Sequence, residues 1–222
     1  MSWVAVLAVA VVGCSRGQEL PAADGLLRAA ARELRGVETV GFDLEVEGPL
    51  GSPAIRRADG VANRMGETAG TVLLDEAGAL IEYEVVISAG QVYLKGPTGG
   101  FQALPPAISA SVYNPSVLLN PSGGIAAILA TVTAARTEAA EAVNGTGAFR
   151  VSAMIDSAVL EQVLPVNLEE GEVPTELWIG QDRPHLLRVR LTAHVRGEDQ
   201  PTSITVTLRD FNAPVDIAPP PA

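Results

Sequence analysis

The residue best suited to covalent chemistry is a cysteine near the start of the chain. Cys14 is the only cysteine among 222 residues, and it closely follows an apolar run from Trp3 to Val12. Its thiolate is a nucleophile that can take a diacylglyceryl group as a thioether, and cleavage before Cys14 would free an amine for a further acyl group such as palmitate. The stretch Val11-Val12-Gly13-Cys14 looks like a bacterial lipobox, in which apolar and small residues precede an obligatory cysteine.

The apolar run is about half of the roughly 20 residues that a membrane-spanning helix needs, and its length is typical of a secretory signal. We therefore predict a lipoprotein signal peptide at 1–13, a lipidated Cys14 with a short tether at 14–23, a single domain at 24–218 and a proline-rich tail at 219–222. Two or more acyl chains would hold the exported protein at the outer face of the cell membrane. The alternative is that Cys14 is an ordinary residue of a plain signal peptide or tail.

The chain has few other residues that could act in catalysis. His185 and His194 would lie on opposite faces of one strand and are read as surface residues, so no metal site is expected. The carboxylate pairs, such as Glu169-Glu170, fall in turns or on polar strand faces and are read as solvated charge. No phosphate loop, nucleophile elbow or H-E-x-x-H motif occurs. The sequence therefore predicts a protein that is not an enzyme and needs no cofactor.

The charge distribution argues against nucleic acid as a partner. The net charge is −11, and the fourteen arginines and the single lysine form no basic stripe. Such a field repels phosphate backbones, and the nine aromatic residues are too dispersed to form a base-stacking platform.

Most of the chain shows the two-residue alternation of antiparallel strands with one apolar face. The clearest cases are Phe42 to Val46, Ile81 to Ile87, Leu187 to Val195 and Ile204 to Leu208, and further strands are predicted at 55–65, 69–75, 91–95, 147–156 and 174–180. Helices are predicted from a cap at Asp24 to a stop at Gly36, over 125–132, and over 157–164.

These elements leave more apolar sheet than the helices can cover. About ten strands of roughly 25 Å give a sheet face near 1200 Å², whereas three short helices cover about 400 to 500 Å². Either the sheet curls until its own side chains meet, or it encloses an apolar guest.

The order of these signals resembles the LppX/LprA/LprF/LprG lipoprotein family of mycobacteria and related actinobacteria. The stretches that carry the resemblance are the lipobox at Cys14, the opening helix, "ADG" at 58–60, "GQVYLK" at 90–95, "YNPSVLLNPSGGIAAIL" at 113–129, "TELWIG" at 175–180 and "VTLRDFNAPVDIAPP" at 206–220. The resemblance implies an α+β fold, namely a strongly curved antiparallel sheet, or half-barrel, with a few helices across its concave face.

The resemblance also implies that the concave face holds acyl chains of lipids or glycolipids, and that the protein carries or presents them between envelope layers. The residues expected to line that cavity are Leu44, Val46, Val72, Leu74, Val85, Ile87, Leu94, Ile125, Ile128, Leu129, Val151, Ile155, Leu177, Ile179, Val189 and Leu191. Further expected partners are the membrane, through Cys14, and a membrane transporter. The alternative is a non-enzymatic, anchored envelope scaffold or protein-interaction module with a dry, closed core, in which each of these residues is plain core.

Overall fold

The computed structural model describes residues 19–50, 54–109, 115–164 and 166–221. The predicted signal peptide and Cys14 lie outside these residues. The strands are β1 (Thr39–Glu47), β2 (Ala54–Asn63), β3 (Thr68–Glu76), β4 (Ala79–Ser88), β5 (Gln91–Lys95), β6 (Gln102–Ala103), β7 (Thr133–Val143), β8 (Thr146–Asp156), β9 (Glu172–Gly180), β10 (Leu186–His194) and β11 (Pro201–Arg209).

All of these strands belong to one open antiparallel sheet. Their order is β6-β5-β4-β3-β2-β1-β11-β10-β9-β8-β7, so β1 and β11 join the N-terminal and C-terminal parts of the chain at the middle of the sheet. The edges are β6, which has only two residues, and β7, whose pairing with β8 shifts register twice.

Tight turns connect several neighbouring strands. Ala77-Gly78, Ala89-Gly90 and Asn144-Gly145 each place both residues at positive φ. This is the backbone of the two-residue hairpin turn that matches the natural twist of the strands. Asn144-Gly145 joins β7 to β8, and it is the residue pair that this turn prefers most strongly.

Within the described ranges, the helices are few and short. They are α1 (Ala23–Leu34), α2 (Pro106–Ser109), α3 (Ile125–Ile128) and α4 (Ser157–Leu160), with a 3₁₀ helix at Pro115–Leu119. The side of the sheet against which α1 packs is termed the inner face. Leu27, Ala30 and Leu34 of α1 form one buried cluster with Val151 and Leu177 of the sheet.

A second buried cluster adjoins the first. It joins Ile128 of α3 and Leu160 of α4 to inner-face residues of β8, β10 and β11, among them Ile155, Leu191 and Ile204. Helical cover is therefore concentrated over the C-terminal half of the sheet. In the described part of the chain, no helix is both long and apolar enough to span a membrane.

The structure corrects several details of the sequence-based prediction. Helix α1 starts at Ala23 with no side-chain cap, so Asp24 lies in its first turn, where a carboxylate favours the helix dipole instead. Helices α3 and α4 are each one turn long, shorter than predicted. Strand β7 occupies a segment that the alternation pattern did not identify as a strand.

Candidate functional site

The strand registers place the predicted cavity residues of the strands on a single face. Leu44 lies opposite Val206 of β11 and Ala58 of β2, and Ala58 in turn lies opposite Val72 of β3. Val206 lies opposite Val189 of β10. Because side chains alternate between faces along each strand, the remaining members follow from the same registers. They are Val46, Leu74, Val85, Ile87, Leu94, Val151, Ile155, Leu177, Ile179 and Leu191.

One part of this inner face is closed by the protein itself. Val151 and Ile179 are 0% exposed and Leu177 is 1% exposed, all beneath α1. Nine of the predicted cavity residues are buried by other parts of the protein. They are Val46, Ile87, Ile128, Leu129, Val151, Ile155, Leu177, Ile179 and Leu191. These side chains already have apolar partners within the fold, so they act as core.

Another part of the inner face is only half-buried. It is termed the open region and consists of Phe42, Leu44, Ala58, Gly60, Gly70, Val72, Leu74, Ile81, Tyr83, Val85 and Leu94, on strands β1 to β5. Five strands at about 4.8 Å spacing make it roughly 19 Å wide, and three rows of side chains make it at least about 14 Å long. Val189 on β10 and Ile125 on α3 are also half-buried and lie outside the open region.

Two glycines bring the backbones of β2 and β3 unusually close within the open region. Gly60 lies directly opposite Gly70. A Cβ atom added at Gly70 would lie 2.0 Å from the carbonyl oxygen of Asp59 and 2.8 Å from the Cα of Gly60. Only glycine therefore fits at this contact, where the two backbones approach more closely than side chains would allow. The pair also leaves the part of the floor that it occupies without side chains.

The open region has a polar margin. Tyr83 donates a hydrogen bond from its hydroxyl to Glu76 Oε1 at 3.0 Å, and this bond raises the pKa of the phenol. At the end of the sheet where β2 turns into β3, a cavity of about 390 Å³ lies between that turn and the 3₁₀ helix, lined in part by Arg64 and Asn120. The Arg64 guanidinium donates hydrogen bonds to Glu38 Oε1 at 3.0 Å, to the carbonyl of Arg35 at 2.7 Å and to the carbonyl of Val37, so it ties the segment that follows α1 to the turn between β2 and β3.

The opposite, outer face of the sheet carries paired charged residues over β7 to β10. Trp178 is buried there, the guanidinium groups of Arg188 and Arg190 lie 5.7 and 5.8 Å from its ring centroid, and its indole N–H donates to Glu141. Arg150 donates to Glu176 Oε1 at 2.7 Å, and this bond raises the pKa of the guanidinium. Charged groups paired in this way suit contact with water, so this part of the outer face differs in character from the apolar open region.

The histidines have different environments. His194 is exposed, as predicted. His185 is not a free surface residue, because its ring stacks on Phe211 at 4.1 Å and its Nε2 lies 3.2 Å from Glu33 Oε1. Among the described residues, no three His, Cys, Asp or Glu side chains come together as metal ligands do.

The sequence-based set missed several residues of the open region. Phe42 and Tyr83 show the same alternation as the residues that were selected, so the pattern itself contained their signal. Gly60 and Gly70 carry no such signal, because their significance appears only once the register pairs them.

An open antiparallel sheet, bent around one apolar face and partly covered by short helices, defines a half-barrel α+β domain. Two solved structures share this fold. LprF from Mycobacterium bovis matches with a TM-score of 0.75 and 21% identity, over 90% of this chain and 97% of that one. LppX from Mycobacterium tuberculosis matches with a TM-score of 0.64 and 18% identity, over 88% and 97%. The predicted fold class is therefore confirmed.

The sequence comparisons identify the family. The model of the LppX_LprAFG lipoprotein family matches residues 22–217, and the chain belongs to this family. A relative named lipoarabinomannan carrier protein LprG, from Mycolicibacterium smegmatis, is 30% identical over 99% of this chain and 94% of its own length. The protein of the same name from Mycobacterium tuberculosis is 25% identical over 98% and 92%. The family resemblance seen in the sequence is thereby confirmed.

Proposed function

We propose that this protein is an exported lipoprotein that binds acyl chains of lipids or glycolipids on its inner face and carries or presents them between envelope layers. The observation that carries the proposal is the open region, a continuous apolar surface that the helices leave half-covered. The names of the relatives, which are called carriers of lipoarabinomannan, support the same function.

The size of the open region suits an acyl chain. An extended chain of sixteen carbons is about as long as the region is wide, since five strands span roughly 19 Å. Burial of eight methylene groups stabilises a complex by about 6 kcal/mol before the cost of ordering the ligand. Because this energy comes from methylene groups, the affinity depends on the chain more than on the head group.

The first experiment asks whether lipid accompanies the protein. The full chain is purified from a mycobacterial host, extracted with organic solvent, and the extract is quantified by mass spectrometry. We expect about one lipid molecule per protein. Protein that is consistently free of lipid would contradict the proposal and favour the anchored scaffold, which the closed part of the inner face would suit.

A matched pair of variants locates the ligand. Val72→Trp adds a large side chain to the floor of the open region, so we expect it to reduce the lipid recovered with the protein at least tenfold. Leu73→Trp places the same large side chain at the next residue, on the outer face, and should retain the lipid. Equal loading of the two variants would contradict the assigned surface. Val151 is unsuitable for this test because it is 0% exposed and a tryptophan there would overpack the core.

Carriage is a separate claim and needs its own measurement. Vesicles that contain a pyrene-labelled phospholipid are mixed with unlabelled vesicles, and the rate of label transfer is followed by excimer fluorescence. Wild-type protein should accelerate transfer, and Val72→Trp should not. A protein that loads lipid yet fails to accelerate transfer would be a presenter rather than a carrier.

We propose further that Cys14 is lipidated and anchors the protein to the outer face of the cell membrane, close to a membrane transporter. The support is the lipobox sequence together with membership of a lipoprotein family. The intact mass of the purified protein should correspond to a chain that begins at Cys14 and bears acyl groups. Cys14→Ala should abolish both the added mass and partition into the detergent-rich phase of Triton X-114. A variant that still partitions there would contradict this anchor.

A further inference from the structure

The chain continues past β11 as an extended segment that lies against the sheet. This segment runs from Phe211 to Ile217 and is termed the strap. Its residues alternate between partly buried and exposed, and the alternation ends at Ile217, which is only 8% exposed. Such alternation indicates an extended chain that lies along a surface. Pro214 favours an extended conformation for the residue before it and cannot form a helical hydrogen bond of its own.

The strap is attached to the sheet at two places. At its start, the N–H of Asn212 donates to the carbonyl oxygen of Thr39 at 2.9 Å, and the Thr39 hydroxyl donates to the carbonyl oxygen of Ala213 at 2.6 Å. At its end, the Ser88 hydroxyl lies 3.5 Å from the carbonyl oxygen of Ile217. The first attachment is at the start of β1 and the second at the end of β4. The strap therefore crosses β2 and β3 between them.

Four polar residues mark this path on the outer face. Thr39 of β1 lies opposite Asn63 of β2. The Asn63 amide donates to Glu67 Oε2 at 2.8 Å, and the Ser88 hydroxyl lies 3.3 Å from Glu67 Oε1. Each of the four is next in the chain to an inner-face residue, so its side chain points to the outer face. The strap therefore lies on the outer side of the sheet.

The strap is close to its full length between the two attachments. Three strand-to-strand steps separate β1 from β4, which amounts to about 14 Å. Ala213 and Ile217 are four residues apart, and four residues of fully extended chain span at most about 13 to 14 Å. The strap therefore has almost no slack.

A taut segment on the outer side of a sheet opposes curling of that sheet towards its inner face. Such curling brings the inner sides of the strands together and moves their outer sides apart, so the two attachments would have to separate beyond the reach of the strap. Strands β1 to β4 carry most of the open region, and the helices cover mainly the other half of the sheet. The strap thus acts on the strands whose apolar side chains the helices leave half-covered.

We propose that the strap keeps the open region open, by holding β1 to β4 at a curvature at which their inner side chains do not close on one another. Closure would remove apolar surface from water and is therefore favourable for the ligand-free sheet. The strap opposes it and leaves the surface available to a ligand. The use of that surface for acyl chains rests on the proposed function, whereas the effect of the strap on curvature does not.

The experiment gives the strap slack without removing either attachment. Gly-Ser is inserted between Val215 and Asp216, which adds up to about 7 Å of chain. The matched control has the same insertion between Ala218 and Pro219, beyond the second attachment. Both insertions are made in the full chain, and the urea midpoint of each variant shows whether it is folded.

A thiol on the inner face reports closure. Val72→Cys is combined with Cys14→Ala, so that the introduced thiol is the only one in the chain. The rate of its alkylation by N-ethylmaleimide is measured on delipidated protein. Leu73→Cys in the same background places the thiol on the outer face instead.

We expect slack in the strap to slow alkylation of Val72→Cys by about threefold or more, because the reactivity of a thiol follows its exposure. The control insertion should leave this rate unchanged, and neither insertion should alter the rate for Leu73→Cys. An unchanged or faster rate in a folded slack variant would overturn the inference and leave the proposed function standing.

A second variant releases the first attachment without changing the length of the chain. Thr39→Val removes the hydroxyl that bonds Ala213 and keeps the shape of the side chain, so it should also slow alkylation of Val72→Cys. This variant tests the inference even if the insertion prevents folding, and an unchanged rate would then overturn it.

Lipid recovery separates the inference from the proposed function. Lipid recovered with the slack variant, without the introduced thiol, should fall by a factor similar to that of the alkylation rate. Undiminished recovery would mean that the strap does not govern access to the open region, and it would overturn the inference. If slack slows alkylation but wild type never carries lipid, the effect of the strap stands and the proposed function fails.

Discussion

Truncating one leucine in each part of the inner face should have unequal effects on stability. Leu177 is 1% exposed beneath α1, whereas Leu74, on the same face, is half-buried in the open region. Leu→Ala at a fully buried site costs about 2.7 to 5 kcal/mol, because apolar contacts are lost and a cavity remains. At Leu74, where water already reaches part of the side chain, we expect the substitution to lower the free energy of unfolding by only about 1 kcal/mol.

The thermal midpoint of delipidated protein measures this difference. For a domain of this size, 1 kcal/mol shifts the midpoint by about 2 to 4 °C, so Leu177→Ala should lower it by about 6 °C or more and Leu74→Ala by about 2 to 4 °C. Lipid must be removed first, since a bound ligand stabilises the folded state by mass action. Lipid recovery should show the reverse order, with the larger loss in Leu74→Ala. Equal shifts for the two variants would refute the division of the inner face into closed and open parts.

Further predictions concern the glycine pair, the outer face and a β-turn. Gly70→Ala should lower the urea midpoint substantially, because its Cβ would meet the backbone of β2. The control Gly25→Ala in α1, whose Cβ would meet nothing within 4 Å, should raise the free energy of unfolding by up to about 1 kcal/mol. An unchanged midpoint in Gly70→Ala would disprove the close contact. Trp178→Phe should lower the free energy of unfolding by about 1 to 2 kcal/mol, because it deletes the hydrogen bond to Glu141, and it should leave lipid loading unchanged. A loss of loading would mean that the outer face takes part in lipid binding. The pKa of Asp75 is lowered by the N–H of Gly78 and by Arg56, so Asp75 stabilises the fold above its ordinary pKa of 3.8. The advantage of wild type over Asp75→Asn in urea denaturation should therefore shrink as the pH falls through the lowered pKa, and an advantage that is constant with pH would contradict this.

The sequence allowed most strands to be predicted because each has one apolar face and one polar face. It did not reveal β7, whose residues are mainly small, polar or charged, since an edge strand held by main-chain bonds to β8 needs no continuous apolar stripe. The Asn144-Gly145 turn that follows β7 was the available signal, because such a pair normally joins two strands.

The division of the inner face could not be predicted in the same way. The same alternation of apolar residues occurs in β3, at Val72 and Leu74, and in β8, at Val151 and Ile155. Only the two residues of β8 lie beneath helices. What distinguishes them is the position of the helices over the sheet, with α1 over Val151 and α3 and α4 over Ile155, which is a tertiary property.

The two edges of the sheet have a consequence for how such molecules behave when they are concentrated. An open sheet has unpaired main-chain N–H and C=O groups at both edges. Where such an edge is long and regular, it can pair with the edge strand of a neighbouring molecule and start aggregation. Here one edge is the two-residue β6, and the other, β7, breaks its register twice and carries Arg136, Glu138 and Glu141. Association of neighbouring molecules through either edge is therefore disfavoured, and the open region of each molecule stays accessible.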